Sequence, residues 1–415
     1  MANINFLLGA GFSVPAGYPT AYNISQKLLA YDNRYIFAHT SGFYIIRSEF
    51  YTYDENFFHK YDTGEYNGEG LGWKEGSLML EVLMHIYRAD VDDTIKNYEN
   101  LYDFINDFRS YSETNTQKVL EHTKQIGTNK KDDPYWNWWL TKVDKYTNDK
   151  TKKDNWITAV GHALLCFDYL INDIILNLKS GRTFDYLDFI DFIKSKSDFT
   201  FNFFTLNHDL LLEELFTNNQ LQLNDGFEVG EFYSEESPVL NHYSGRYSGS
   251  NRIYKLHGSV NYWNYYYVVN GRAINKNVVT RHTYGDAHSF YIHDKEGSQI
   301  MAEDSGLVLS GVETKKRRYA GPLVSELIPL FEVVSKTADL TIIIGYSFMD
   351  EIINRILDEA IFKNEAKSVI VIGWGNTPEF LSDRSFPNDR VSFHGEGIDN
   401  YDFTDAKKAI ESLSQ

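Results

Sequence analysis

Short apolar runs that stop at a glycine or a polar triplet punctuate both ends of this chain. Asn3 to Leu8 ends in Gly9, and after Pro19-Thr20 the segment Ala21 to Ala30 carries apolar residues at helical spacing, which predicts strand, glycine loop and helix. Phe199 to Leu206 reads as a strand running into Asn207, with a helix over Leu210 to Phe216. Ile253 to Leu256 is a further short strand, leading into His257-Gly258. Beyond residue 322 the rhythm is regular: helix Leu323 to Lys336, strand Leu340 to Ile344 before Gly345, helix Asp350 to Phe362, strand Ser368 to Ile372 before Gly373. Strand Arg390 to Phe393 and helix Thr404 to Leu413 complete it. Strands alternating with helices predict an open α/β sheet that presents polar groups to a ligand at its strand ends.

The middle of the chain has a different texture. Tyr35 to Tyr53 is aromatic and β-leaning, whereas Leu78 to Phe108 and Trp156 to Leu178 carry apolar residues three and four apart, as helices do. Asn129 to Asn155 is dense in Lys, Asp and Asn yet holds Trp136, Trp138 and Trp139; it reads as a surface hairpin, a partner contact or a connecting loop. Asp225 to Arg252, rich in Gly, Ser and Tyr, reads as a loop suited to act as a lid. From Asn264 to Val312 β-type residues return, with Asn270-Gly271 as a hairpin turn.

Composition narrows the class. At 415 residues, with 42% hydrophobic and 16% aromatic content, the chain has material for a large core domain and a substantial insertion or second domain. A net charge of −18 argues against direct nucleic-acid binding and against adhesion to anionic membranes. The one compact basic run, Lys315-Lys316-Arg317-Arg318, reads as a solvated loop. The single cysteine, Cys166, lies in an apolar stretch and reads as a buried, inert thiol, so neither a disulfide nor a cysteine zinc site is expected. His282, His288 and His293 fit no familiar zinc spacing, and no metal is expected. The run Ile4 to Ala10 lacks a basic leader, and no stretch approaches the roughly 18 apolar residues of a membrane span. A cytoplasmic protein is the expectation.

Three segments carry candidate chemistry: Gly9-Ala10-Gly11-Phe12-Ser13 with Gly17 and Pro19, Thr205-Leu206-Asn207-His208-Asp209, and Lys255-Leu256-His257-Gly258. A Gly-x-Gly turn after a first strand lets backbone N–H groups approach a pyrophosphate, although Val14 stands where the dinucleotide fingerprint has its third glycine. A plain structural turn explains the same glycines. The unperturbed pKa of a histidine, about 6.5, suits proton transfer and makes His257 a candidate, and a structural histidine is the competing reading. The Asn207 amide offers donor and acceptor to a water or a ribose hydroxyl, or caps the following helix.

In this order the segments resemble the sirtuin (SIR2) superfamily. Gly9 to Ser13 with Gly17 and Pro19 is similar to its first NAD loop, Thr205 to Asp209 to its Thr-Gln-Asn-Ile-Asp segment, and Leu256-His257-Gly258 to its His-Gly segment. Gly345-Tyr346-Ser347-Phe348 is similar to the Gly-Thr-Ser loop on the adenosine side. The departures point within the superfamily: the four zinc-binding cysteines of the deacylating members are missing, Thr20-Ala21-Tyr22 replaces Asp-Phe-Arg, and a long insertion separates Gly11 from Asn207. That pattern resembles the SIR2-like effectors of bacterial anti-phage systems.

The resemblance implies a Rossmann-like doubly wound parallel sheet with a large, mainly helical insertion and a small β-rich segment in place of the zinc module. Residues 1–30, 195–263 and 313–415 would form the SIR2 domain, 31–194 the insertion and 264–312 the β-rich segment. It implies an NAD+ glycohydrolase that releases ADP-ribose and nicotinamide in abortive-infection defence, with NAD as substrate and no metal. Asn207 and His257 would be catalytic, Asp209 would meet the nicotinamide carboxamide, and Gly9, Ala10, Gly11 and Ser13, with Pro19 in the same loop, would hold the pyrophosphate. Gly345 and Ser347 would face the adenine ribose. It also implies a homo-oligomer or a partner such as a HerA-type ATPase. A protein deacylase and a non-hydrolytic NAD or ADP-ribose sensor are the alternatives.

Overall fold

The computed structural model describes residues 2–29, 37–40, 43–46, 69–91, 97–130, 134–177, 186–196, 198–234, 240–269, 272–281, 291–308, 323–364, 367–382 and 390–413. They fall into two compact units, one built from the described residues of 1–20, 175–309 and 317–415, the other from those of 21–174.

The first unit is organised by a six-stranded parallel sheet. From one edge to the other run Val391–His394, Ser368–Ile372, Leu340–Ile344, Asn3–Leu8, Thr200–Thr205 and Asn251–Lys255. Chain order therefore proceeds outward in one direction from Asn3–Leu8 and then restarts on its other side at Leu340–Ile344, the arrangement of a doubly wound sheet. The four inner strands are mostly apolar because both faces are covered, as parallel sheets require, whereas the edge strands Val391–His394 and Asn251–Lys255 carry more polar residues. Alternate residues serve opposite faces. Ile4, Phe6, Leu8, Phe201, Phe203, Ile342 and Ile344 pack with Phe189, Phe192, Phe216, Phe403 and Ile410, whereas Leu7, Phe204, Tyr254 and Ile343 pack with Leu327, Phe331 and Ile356. Phe6 meets Phe203 at 5.0 Å between centroids and Phe189 at 5.5 Å, one stacked and one edge-on. On the second face Asn202 Nδ2 donates to Asn5 Oδ1 at 3.1 Å, so a polar rung crosses the middle of two mostly apolar strands.

A closed antiparallel barrel belongs to the same unit. Its strands are, in order around the wall, Tyr291–Asp294, Gln299–Val308, Gly258–Val269, Arg272–Arg281, Leu240–Tyr243 and Phe227–Tyr233. The β-rich segment read from Asn264 onward thus begins earlier. Two of its strands come from the stretch read as a lid, and that reading is corrected. Along Phe227–Tyr233 burial alternates irregularly, and the Gly, Ser and Tyr that suggest a loop are tolerated because neighbouring strands supply the hydrogen bonds. Asn270-Gly271 lies outside the described residues, as do His282, His288 and the 315–318 basic run.

The second unit is mainly helical: Ala21–Leu29, Glu69–Asp90, Tyr98–Asp107, Glu113–Gly127, Pro134–Asn148 and most of Lys153–Asn177, with a small hairpin of Phe37–Thr40 and Phe43–Ile46. Asn97 and Ser112 cap the helices that follow them, accepting from Asn100 N at 2.7 Å and Asn115 N at 3.1 Å. Asn129 to Asn155 holds a helix rather than a surface hairpin or loop. Trp136, Trp139, Val143 and Tyr146, spaced three and four apart, are all buried, and the Lys and Asp residues between them take the outer face. Cys166 is buried and free. No helix among the described residues is long and apolar enough to cross a membrane.

Candidate active site at the carboxyl edge of the parallel sheet

Strand register aligns the chain segments that matter. Leu8 pairs with Ile344 on one side and Thr205 on the other; Thr205 pairs with Lys255, and Ile344 with Ile372. Backbone ladders continue one residue further, through Gly9 N to Ile344 O at 2.9 Å, Leu206 N to Leu8 O at 2.9 Å and Leu256 N to Thr205 O at 2.9 Å. Gly9, Leu206, Leu256 and Gly345 thus stand in one row, and Asn207 and His257 follow one residue later on adjacent strands. The row straddles the point where strand order reverses, which in such sheets is where ligands bind.

On one side of that point backbone meets backbone. Gly11 N donates to Gly345 O at 2.9 Å, and Gly345 N to Ile372 O at 2.8 Å. A Cβ on Gly9 would lie 2.5 Å from Gly345 O, one on Gly11 2.6 Å from Gly345 Cα, and one on Gly345, at φ +62°, 2.4 Å from Gly11. No side chain fits there. The glycines of the first loop therefore have a packing reason, and the N–H groups of Gly9 and Gly11 donate to protein carbonyls. Ala10 opens a four-residue helical turn, Ala10–Ser13, and is exposed; Pro19 is half-buried. Ser347 is exposed beyond the Gly345 loop.

On the other side polar side chains do the building. Asn207 N donates to Thr205 Oγ1 at 3.0 Å, and Asn207 Nδ2 donates to Gly9 O at 2.9 Å and Ser13 Oγ at 3.0 Å. Both amide hydrogens are thereby engaged, so Asn207 offers a ligand its Oδ1 acceptor rather than the donor and acceptor anticipated from sequence. Ser13 is turned inward and buried; its hydroxyl also bonds the Asp209 carboxylate. Asp209 Oδ1 accepts from Leu211 N at 3.0 Å.

Beneath this row lies Lys255, fully buried, its ammonium 2.8 Å from Glu213 Oε1 and 2.9 Å from Ser259 Oγ and also donating to the Asp209 carbonyl. Burial pushes the carboxyls of Asp209 and Glu213 above the ordinary range, and Lys255 pulls both back. His257 is buried with its Nε2 3.2 Å from Asp350 Oδ2, and its ring centroid is 6.3 Å from that of His208.

The structure thus brings Gly9, Gly11, Ser13, Asn207, Asp209 and Gly345 into one connected cluster, with His257 on the adjoining strand end. Thr205 stands in a candidate segment without a role of its own in the sequence reading, and Glu213 and Asp350 escape that reading as site-building residues. Asp350 carries a local signal, an aspartate directly before a helix, but nothing local announces a partner at residue 257. Among the described residues no group of three or more His, Cys, Asp or Glu side chains is placed to hold a metal ion; His293 stacks on Tyr233 at 5.5 Å.

Residues 202–385 match a family model described as SIR2-like domain. Among solved structures, a Sir2 in complex with the inhibitor EX-527, 2′-O-acetyl-ADP-ribose and deacetylated p53 peptide is 11% identical, over 100% of this chain and 94% of that one, with a TM-score of 0.28. Sir2Tm bound to a propionylated peptide is 11% identical over 100% and 93%, also at a TM-score of 0.28. No curated protein matches the chain.

Proposed function

Taking this chain as a member of the SIR2-like superfamily through its domain over residues 202–385, we propose that it is an NAD+ glycohydrolase that cleaves NAD+ to ADP-ribose and nicotinamide. One observation supports the reading most: Asn207 and His257 leave adjacent strands in register, on one side of the switch point, with the Asn207 amide pinned to the glycine loop so that its oxygen is left to accept.

In the proposed reaction the bond between the ribose C1′ and the nicotinamide nitrogen breaks, and its electron pair leaves with the neutral pyridine. Water adds to C1′ and gives up a proton. Asn207 Oδ1 orients that water or a ribose hydroxyl, and His257 holds or deprotonates the ribose hydroxyls. Asp209 lines the nicotinamide end. The pyrophosphate lies along the Ala10–Ser13 turn, with Pro19 beside it, and Gly345 and Ser347 lie toward the adenine ribose. Preorganised dipoles at a strand-end cleft stabilise the oxocarbenium-like transition state without reorganising. Hydrolysis is favoured over deacylation because the chain has one cysteine, buried in the helical unit, and cannot build a four-cysteine zinc module.

Chromatography of NAD+ incubated with the assembled protein tests this. Free ADP-ribose and nicotinamide, with turnover reduced by about a thousandfold or more in Asn207→Ala, is the expected result. O-acetyl-ADP-ribose formed with an acetylated peptide would replace hydrolysis with deacylation, and intact NAD+ that binds measurably would leave a sensor. The resemblance extends the proposal to a cytoplasmic effector of anti-phage defence, acting as a homo-oligomer or with a partner such as a HerA-type ATPase. Loss of cellular NAD+ upon infection, abolished by Asn207→Ala, is the corresponding measurement.

A further inference from the structure

We propose that Asp350 is the positioning residue for His257, fixing which ring nitrogen carries the proton; the inference rests on the reading of His257 as the ribose-facing imidazole. Asp350 follows the strand Leu340–Ile344 and His257 follows Asn251–Lys255, and two further strands, Asn3–Leu8 and Thr200–Thr205, lie between them in the sheet. Their contact therefore ties together the two flanks of the strand-end row that holds Gly9 and Asn207.

The carboxylate is held by more than the histidine. Asp350 Oδ1 accepts from Ile352 N at 3.0 Å and Ile353 N at 3.1 Å, leaving Oδ2 for His257 Nε2 at 3.2 Å. Its backbone is clasped by one hydroxyl: Asp350 N donates to Tyr346 Oη at 3.3 Å, and the same oxygen lies 3.2 Å from the Asp350 carbonyl and 2.8 Å from Asn354 Oδ1. Asn354 Nδ2 in turn donates to Phe348 O at 2.7 Å. Both members of the pair are nearly closed to solvent, with side chains 7% and 11% exposed.

Helix capping alone does not call for a carboxylate, since Ser and Asn cap equally well. What only a carboxylate does is present an acceptor and no donor, so that Nε2 must bear the hydrogen and the lone pair of the neutral ring sits on Nδ1. Rotating Oδ2 away from the imidazole would also pull Oδ1 from two helix N–H groups, so the ring is steered by a group that cannot readily turn.

The test uses the full chain with 15N-labelled histidine. In the wild type the His257 ring shifts should report the Nε2–H tautomer. Asp350→Asn keeps the cap but turns an N–H donor toward Nε2 and should move the proton to Nδ1, with kcat on NAD+ falling about a hundredfold and KM staying within about threefold. Asp350→Ser also caps the helix but is too short to reach the ring; it should give a mixed tautomer and a similar loss. An unchanged Nε2–H tautomer in both variants overturns the proposal, as does kcat within about twofold of an active wild type. If the wild type leaves NAD+ intact while the tautomer still flips in Asp350→Asn, the positioning role stands and the glycohydrolase reading falls.

Discussion

The two flanks of the strand-end row are built on opposite physical plans. Around Gly9, Gly11 and Gly345 the chain achieves contact by having no side chains, with backbones at distances a single methyl group would forbid. Around Asn207, Asp209 and Lys255 it places polar and charged side chains, half-buried in the first two and fully buried in Lys255, and satisfies them with one another. The first plan tolerates no added atom; the second tolerates no lost partner. A site made both ways fixes its backbone by sterics and its side chains by electrostatics, and each half should fail in its own manner.

The largest effect is expected where both steric objections meet. Gly345→Ala adds a Cβ 2.4 Å from the Gly11 backbone at a φ of +62°, and should cost about 3 kcal/mol or more, read as a drop in urea midpoint or as loss of soluble protein. A stable, wild-type-like Gly345→Ala protein would show that the two loops can part. On the polar flank, Lys255→Met strips Glu213 and the Asp209 carbonyl of their shared cation and should cost about 2–3 kcal/mol, the lower value because Glu213 is 26% exposed. Adding Glu213→Gln to it should recover part of that loss, since the uncompensated charge goes with it; strict additivity of the two would dissolve the pair.

A pH series sharpens the same contrast. Burial raises the Asp209 carboxyl, so the folded protein holds this proton more tightly than the unfolded chain. The contribution to stability is complete below the unfolded value of about 3.9 and is lost as pH rises through the raised value. Asp209→Asn removes that loss, so the stability of the variant relative to wild type should grow from pH 4 upward; a constant or shrinking difference in unfolding free energy would contradict it. The smallest effect is Thr205→Val, which leaves Asn207 N without its 3.0 Å acceptor and should cost about 1 kcal/mol by thermal unfolding.

Much of the parallel sheet is legible in the sequence. Asn3–Leu8, Leu340–Ile344, Ser368–Ile372 and the helix Thr404–Leu413 have the bounds the pattern gives, because a strand covered on both faces is a continuous apolar run and a glycine marks its end. The barrel strands Phe227–Tyr233 and Leu240–Tyr243 are not, since their burial is partial and, beyond pairing with each other, they are held by Tyr291–Asp294 and Arg272–Arg281 further along the chain. The helix of Trp136 and Trp139 hid behind its own charged face, which dominates the local composition. In the site, strand-end residues could be picked out one segment at a time. The contacts that define it could not: Ser13 turning inward to Asn207 and Asp209, and His257 meeting Asp350, depend on which strands become neighbours.

The sheet order also governs when this edge can exist at all. Asn3 donates its N–H to Asp339, 336 positions later, and the strand after Asp339 supplies the loop that locks the glycine turn. Until then Asn3–Leu8 has an open flank, and an unpaired apolar strand edge is an aggregation hazard. By the same token a fragment that stops short of Gly345 lacks the backbone against which Gly9 and Gly11 pack, so the strand-end row closes only once the chain has run that far.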